Sequence, residues 1–552
     1  VGAVVAGLFV LSILPGASIA RGEAPAGTTV PAGQTTSSSG SSPRYTGETP
    51  DATIEAQKKR AIAATDDADR IAALAVIASV AERATQGAAL QATKDIVAAL
   101  PASSEVRGDA MALARTFEAN EGTVAGASSA RVEAGIVTDV SVLGPFRDTG
   151  GGLDAHDGPE AKKTAETFGD PKAIYSWGTV EVAWRPVPMT FAQARGVPLD
   201  LFVHPRKESC SWIASKITLE TKTPVIVRLA AAGSARLVFD GVDVGKSDDV
   251  HETMRFDRLA ARVDAAAGPH IVAAKVCTGA LEDSGRVRLR ITDDKHQPLK
   301  VKASADLSLE PGQSIAWGSV KPVKLETKLV RTATGKGSAD ALLAAAIVRT
   351  LGGADDQKSP RAPGQLDALL QNKDLDADRL AMAAWVTPSG ANKSARLYRA
   401  RAAAEKAGDQ TTKAFVDRRL VDQHLESDAP DWAIATLRGS KIEGKGDGEA
   451  VLLSARVARA LRVEALGIRA MRELSAAFKA NKEKVSLAHL FELSAAARGS
   501  DVKTWVEVTR ELARRGVRGE LLVDAMGTLG KNDVEAAAKD AFAGGMDDAD
   551  EA

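Results

Sequence analysis

The 552-residue chain has only two cysteines, Cys210 and Cys277, and both fall in a stretch that also carries five of its seven histidines. A thiolate beside an imidazole is a nucleophile, so Cys210 with His204 or His270 is the first pairing to weigh. Against it, Ser209-Cys210-Ser211-Trp212 lacks the surroundings of a cysteine-protease nucleophile, and neither Gly-x-Ser-x-Gly nor Glu-x-x-His occurs. Two cysteines in one domain of an exported chain are most simply a disulfide, the alternative being two buried free thiols. Zinc is disfavoured because no Cys-x-x-Cys or helically spaced His pair accompanies them.

Asp148, Asp154, His156, Asp157 and Glu160 lie close in sequence and carry the oxygen-rich chemistry that suits Ca²⁺. Their spacing matches no known Ca²⁺ loop, so the expectation is no metal. Gly150-Gly151-Gly152 lacks the Lys-Ser/Thr of a phosphate loop and opens no helix. Trp177, Trp212 and Tyr175 are the aromatics expected to meet a ligand, because an indole or phenol ring offers a flat face to the C–H groups of a sugar. Trp184, inside an alternating strand, belongs to the core. No catalytic residues and no cofactor are expected.

These residues sit on a strand-patterned island, 138–312, between two Ala-rich helical arms. Ser215–Glu220 alternates polar with apolar, as a half-buried strand does. Ala235–Phe239 runs into Asp240-Gly241, a hairpin-turn pair. Arg286–Ile291 alternates with its arginines expected to face water. Short strands separated by turns predict a β-sandwich. Before it, residues 53–128 predict helical hairpins. Asp66 and Ser104 are expected caps, Pro101 a stop, and Val106, Ala110, Leu113 and Phe117 fall on one helical face. After it, residues 338–540 predict amphipathic helices without a strict period, one of them over 449–480, forming a degenerate helical-repeat solenoid.

The first 20 residues carry no charge. Their apolar run of about 14 residues is short for a bilayer and ends in Ser18-Ile19-Ala20, which predicts a signal peptide or N-terminal anchor. Residues 21–52, rich in Gly, Ser, Thr and Pro, predict a disordered linker, and residues 541–552 a disordered acidic tail. With 71 basic against 72 acidic residues the chain lacks the basic excess of a nucleic-acid binder.

Leu143-Gly144-Pro145-Phe146-Arg147-Asp148, Val182-Ala183-Trp184-Arg185, Arg236-Leu237-Val238-Phe239-Asp240-Gly241 and Gly268-Pro269-His270-Ile271-Val272 together resemble a module of large exported myxobacterial-type proteins. There it lies among tetratricopeptide-like helices, often ahead of a transglutaminase-like domain. The resemblance implies a jelly-roll sandwich of the galactose-binding-like group, between two tetratricopeptide-like regions. Nothing in the chain resembles the catalytic domain. The expected role is a non-catalytic binding or scaffolding protein of the cell envelope or periplasm. Its helical surface would hold a protein partner and its sandwich a polymer such as cell-wall polysaccharide. The membrane would be met only through an uncleaved N-terminal segment. The alternatives are an accessory region of a larger transglutaminase-like or peptidase enzyme, and a carbohydrate-binding module.

Overall fold

The computed structural model describes residues 43–515, apart from 121–133, 149–150, 161–169, 178, 188–195, 205–207, 279–284, 355–363, 373–374, 389–390, 444–445 and 499. The apolar N-terminal segment, residues 21–42 of the Gly/Ser/Thr/Pro stretch and the acidic end therefore lie outside the described residues. Residues 43–52, expected to belong to a disordered linker, are instead packed: Tyr45 is buried and α1 begins at Pro50. The chain combines α-helices with antiparallel sheets, and no described helix is long and apolar enough to cross a membrane.

Four helices open the described chain: α1 (Pro50–Ala63), α2 (Asp67–Val80), α3 (Ala88–Ala99) and α4 (Glu105–Asn120). Their starts follow from local chemistry. Thr49 accepts from the Ala52 N–H and Asp66 from the Asp69 N–H, satisfying amides that the first turn leaves open. Helix α3 ends just before Pro101, whose ring cannot continue it. Val106, Ala110, Leu113 and Phe117 of α4 are all buried, as their spacing requires. Ser104 departs from expectation, because its hydroxyl is buried without a hydrogen bond.

The strands follow, with one short helix, α5 (Leu199–Phe202), among them. One sheet runs in the order β4 (Arg185–Pro186), β1 (Ser141–Arg147), β6 (Ser209–Leu219), β11 (Gly268–Cys277), β8 (Gly233–Phe239), β9 (Val242–His251), and β13 (Lys302–Ser304) also pairs with β6. A second runs β14 (Val323–Leu325), β10 (Leu259–Ala265), β7 (Thr223–Ala231), β12 (Arg286–Thr292), β5 (Val197–Pro198). Every pairing is antiparallel. Ile213, Ile217 and Leu237 of the first sheet share one core with Val227, Leu289 and Ile291 of the second, so the two sheets pack face to face. The β8–β9 turn places Asp240 at φ 47° and Gly241 at φ 78°, the left-handed pair that a two-residue hairpin needs.

Beyond the sheets come α6 (Lys328–Ala333), α7 (Ala339–Thr350), α8 (Gly364–Leu370), α9 (Ala377–Trp385), α10 (Ala391–Ala407), α11 (Gln410–Glu426), α12 (Pro430–Gly439), α13 (Gly448–Leu461), α14 (Glu464–Ala480), α15 (Leu487–Ala497) and α16 (Val502–Arg514). The single helix expected over 449–480 is two, separated at Arg462, which adopts φ 54°. Ile71, Leu74 and Ile96 from the first arm and Leu343, Ile347 and Met382 from the second belong to one hydrophobic core. The strand segment thus enters and leaves a shared helical layer. Later helices pack in sequence, through Leu397, Phe415 and Leu420, then Leu437 and Leu453, then Leu474, Leu490 and Leu512.

The joint between sheet and helices corrects the expected water-facing arginines. Arg288 and Arg290 of β12 are only 3% and 2% exposed, and Arg228 of β7 lies cross-strand from Arg290. Helix α4 covers this face and supplies carboxyl partners. Arg228 donates to Glu105 (3.1 Å), and Arg290 donates to Asp109 (3.3 Å) and Asp257 (2.7 Å). Gly108 makes room, since a Cβ there would stand 2.9 Å from the Arg290 guanidinium. Burial would raise the Glu105 carboxyl, but Arg228 and Arg331 outweigh it and hold the group below its usual range. Asp109 goes the other way: burial, reinforced by the neighbouring Asp257, outweighs Arg290 and pushes it up to about 7.

A proton therefore stays on folded Asp109 at pH values where the unfolded chain has released it. The stability this group contributes is complete below about pH 4, falls as pH climbs, and is lost above about pH 7. Urea unfolding of the whole chain at a series of pH values checks this. Asp109→Asn should remove that part of the slope, so the gap between native and variant narrows or reverses from acid to neutral pH.

Candidate functional site

Cys210, Cys277 and Trp212 lie on the outer face of the seven-stranded sheet, where Asp154, Glu160 and Tyr175 meet its residues or their neighbours. His270 falls on the opposite face of β11, its ring 5.2 Å from that of Phe239, and His156, Asp157 and His204 are exposed. Cys210 and Cys277 are register partners on β6 and β11 and form a disulfide, with Cα atoms 4.0 Å apart. Asp148 approaches both sulfurs, but neither is a thiolate, so the grouping offers no thiolate ligand for a metal. His270 is also committed. Its Nδ1–H donates to Asp240 (2.7 Å) and its Nε2–H to the Ala266 carbonyl (2.9 Å). Both ring nitrogens face oxygen atoms, an arrangement that favours the imidazolium. Burial opposes the charge, yet the Asp240 carboxylate and the Ala266 carbonyl prevail and raise the pKa. Asp240 also accepts from the Ile271 N–H (2.8 Å), so the hairpin turn is stitched to β11.

Trp212 is fully buried and offers no face to a sugar. The Lys275 ammonium lies 5.8 Å and the Arg236 guanidinium 5.4 Å from its ring centroid. Register explains the grouping: Trp212, Lys275, Arg236 and Lys246 are successive cross-strand partners on β6, β11, β8 and β9. A transverse row of three cations results, and the loop before residue 161 neutralises it. Glu160 accepts from Lys275 (2.7 Å) and Arg236 (2.9 Å), while Asp154 accepts from Lys246 (2.8 Å). Two of the acids weighed as metal ligands thus meet cations of the protein itself. Tyr175 sits on a small hairpin, β2 (Ile174–Trp177) with β3 (Val180–Ala183), half-buried with its ring edge-on to Phe146 at 6.0 Å. Trp177 pairs with Val180 through its backbone, and its side chain lies outside the described residues. Trp184 is in the core, as expected.

Two accessible features were not singled out by sequence reasoning. The first is a cavity of about 690 Å³ where the edge strands β9 and β14 meet α6, α7 and α8. Leu259, Ala260, Leu325 and Val330 give it apolar walls, and Lys324, Lys336 and Arg349 bring positive charge. The second is an aromatic group on the helical array. Trp432 at the start of α12 is 65% exposed and Tyr398 of α10 is 43% exposed. Between them is His424, its ring centroid 6.3 Å from Trp432. Burial holds this imidazole below its usual pKa, and its Nε2 is hydrogen-bonded with the Tyr398 hydroxyl (3.1 Å). Isolated Lys and Trp residues at unrelated positions leave no motif to find. The one available signal was Trp432 near the start of an amphipathic helix.

Replacing both cysteines by serine should lower stability by about 2–4 kcal/mol, because the bridge closes a long loop in the unfolded chain. The urea midpoint of the double variant measures it, and an unchanged midpoint would mean the link contributes nothing. Comparison of the chain with known protein families, with curated proteins and with solved structures finds no match, so its chemistry rests on its own residues.

Proposed function

We propose that this chain is an exported, non-catalytic binding and scaffolding protein of the cell envelope. On this reading its helices form a degenerate tetratricopeptide-like array that holds a protein partner. Its paired sheets form a jelly-roll-like sandwich positioned for a polymer or protein ligand, as in the exported myxobacterial-type proteins it resembles. The observation that carries the proposal is the exposed Trp432 beside Tyr398 and His424. An indole left in water forgoes the stabilisation that burial would bring, and Trp and Tyr are the side chains that most often dominate protein interfaces. Export is supported by the Cys210–Cys277 bridge, which persists in an oxidising compartment. The binding role is supported by the structural engagement of the cysteines, His270, Glu160 and Asp154.

The test is site-specific photo-crosslinking in the native host. A benzophenone amino acid replacing Trp432 should yield a discrete protein adduct, whereas the same group replacing the exposed Lys479 of α14 should not. Identical adduct patterns at the two positions would overturn the protein-partner reading. Fractionation should recover the chain outside the cytoplasm with its cysteines oxidised. A cytoplasmic chain with free thiols would overturn the export reading.

A further inference from the structure

We infer that the cavity between the sheet edges and α6–α8 is a binding site for a small amphipathic anion, an apolar body carrying at least two negative groups. The inference goes beyond the scaffolding role and stands independently of it.

Size is the first argument. A volume of about 690 Å³ lies within the range of roughly 300–1,000 Å³ typical of small-molecule sites. Charge is the second. The lining contains Lys246, Arg258, Lys324, Lys336 and Arg349 against one carboxylate, Glu326, in a chain whose formal net charge is −1. Setting aside Lys246, which Asp154 and Asp248 pair, four cations less one anion is a local excess of three, and a cleft with low-dielectric walls concentrates such a field.

The cations differ in what they can still do. Arg258 is buried and donates to the Gly233 carbonyl, the Ser247 hydroxyl and the Asp249 carbonyl, so it contributes field rather than contacts. Lys246 is held by Asp154 and Asp248, both well exposed. Such exposed pairs are weak and exchange readily for another anion. Lys324 and Lys336 are exposed and have no carboxylate partner among the described residues. They are the two donors open to a ligand. Leu259, Ala260, Leu325 and Val330 supply an apolar part of the lining. Gln365 adds an amide whose buried Oε1 has no hydrogen-bond partner. A bare phosphate would leave that apolar lining unused, and an uncharged apolar molecule would leave both lysines unanswered.

Fluorescence titration of the whole chain with bis-ANS, a dianion with aromatic rings, and with uncharged N-phenylnaphthylamine tests the inference. Lys324→Glu combined with Lys336→Glu should weaken bis-ANS by roughly tenfold or more and change the neutral probe by less than about twofold. Lys324→Gln with Lys336→Gln should give an intermediate loss. Both side chains are exposed, so far-UV circular dichroism should be unchanged. Unaltered bis-ANS affinity in the charge-reversed variant, or an equal fall for both probes, would overturn the proposal. None of these outcomes bears on crosslinking at Trp432.

Discussion

The fold depends on a charged layer where a hydrophobic one would be the usual solution. The outer face of the five-stranded sheet presents Arg228, Arg288 and Arg290, and none is wet. An ionised guanidinium removed from water costs several kcal/mol unless a carboxylate and further hydrogen bonds repay it. Helix α4 meets that demand with Glu105 and Asp109, one helical turn apart on one face, while Asp257 approaches from within the strand segment. Glu105 also accepts from Arg331 of α6 (2.6 Å) and from the Lys328 N–H (3.2 Å). One carboxylate thereby ties the sheet to the helices on both sides of it. Removing Glu105 or Asp257 strands a buried guanidinium, at a cost of about 3–5 kcal/mol, whereas Asp109, pushed up to about 7, contributes chiefly as a hydrogen-bond partner. Surface ion pairs contribute far less. The buried pairs therefore constrain where α4 sits, and the hydrophobic core behind α4 follows from that placement.

The opposite face of the molecule repeats the logic with the roles exchanged. Here the sheet offers Lys275, Arg236 and Lys246 in one row, and the carboxylates come from a loop rather than a helix. Burial outweighs Glu160 and holds the Lys275 ammonium below its usual pKa. Trp212 takes up the space beside the two buried cations, with its ring positioned for cation–π contact. The disulfide joins β6 and β11 beside this row, fixing the register that lines the cations up. Each sheet thus has one face in the shared apolar core and the other under a charged cover.

Much of the local structure was legible from the residues. The Asp66 cap, the stop at Pro101, the α4 apolar stripe and the Asp240-Gly241 turn depend on neighbours within a few positions, and each is found where the sequence places it. Apart from the expected Ser104 cap, whose hydroxyl makes no hydrogen bond, most of what failed depends on distant partners. Alternation in Arg286–Ile291 separates the two faces of the strand correctly but does not say what covers the polar one. A strand with arginines against a helix reads like a strand with arginines in water. Trp212 looked available for the same reason, since Lys275 and Arg236 reach it only through the register of three strands. The break at Arg462 had no local signal, because Leu461-Arg462-Val463 contains neither glycine nor proline.

Where recognition can occur follows from which surfaces the charged layers leave open. With the outer face of the five-stranded sheet beneath α4, and Trp212 and its cations beneath loops and the small hairpin, the sheets retain their edges. At one end these are β9 and β14, the terminal strands of their respective sheets. An edge strand carries unpaired backbone groups that invite pairing with another chain, and lysine is a common means of discouraging it. Lys324 on the three-residue β14 fits that protective role. Protection alone leaves the neighbouring cavity unexplained, because blocking an edge needs neither its apolar lining nor Lys336 arriving from the α6–α7 turn. The same lysine can guard the edge against a backbone and still meet a small anion, because the two partners approach different atoms.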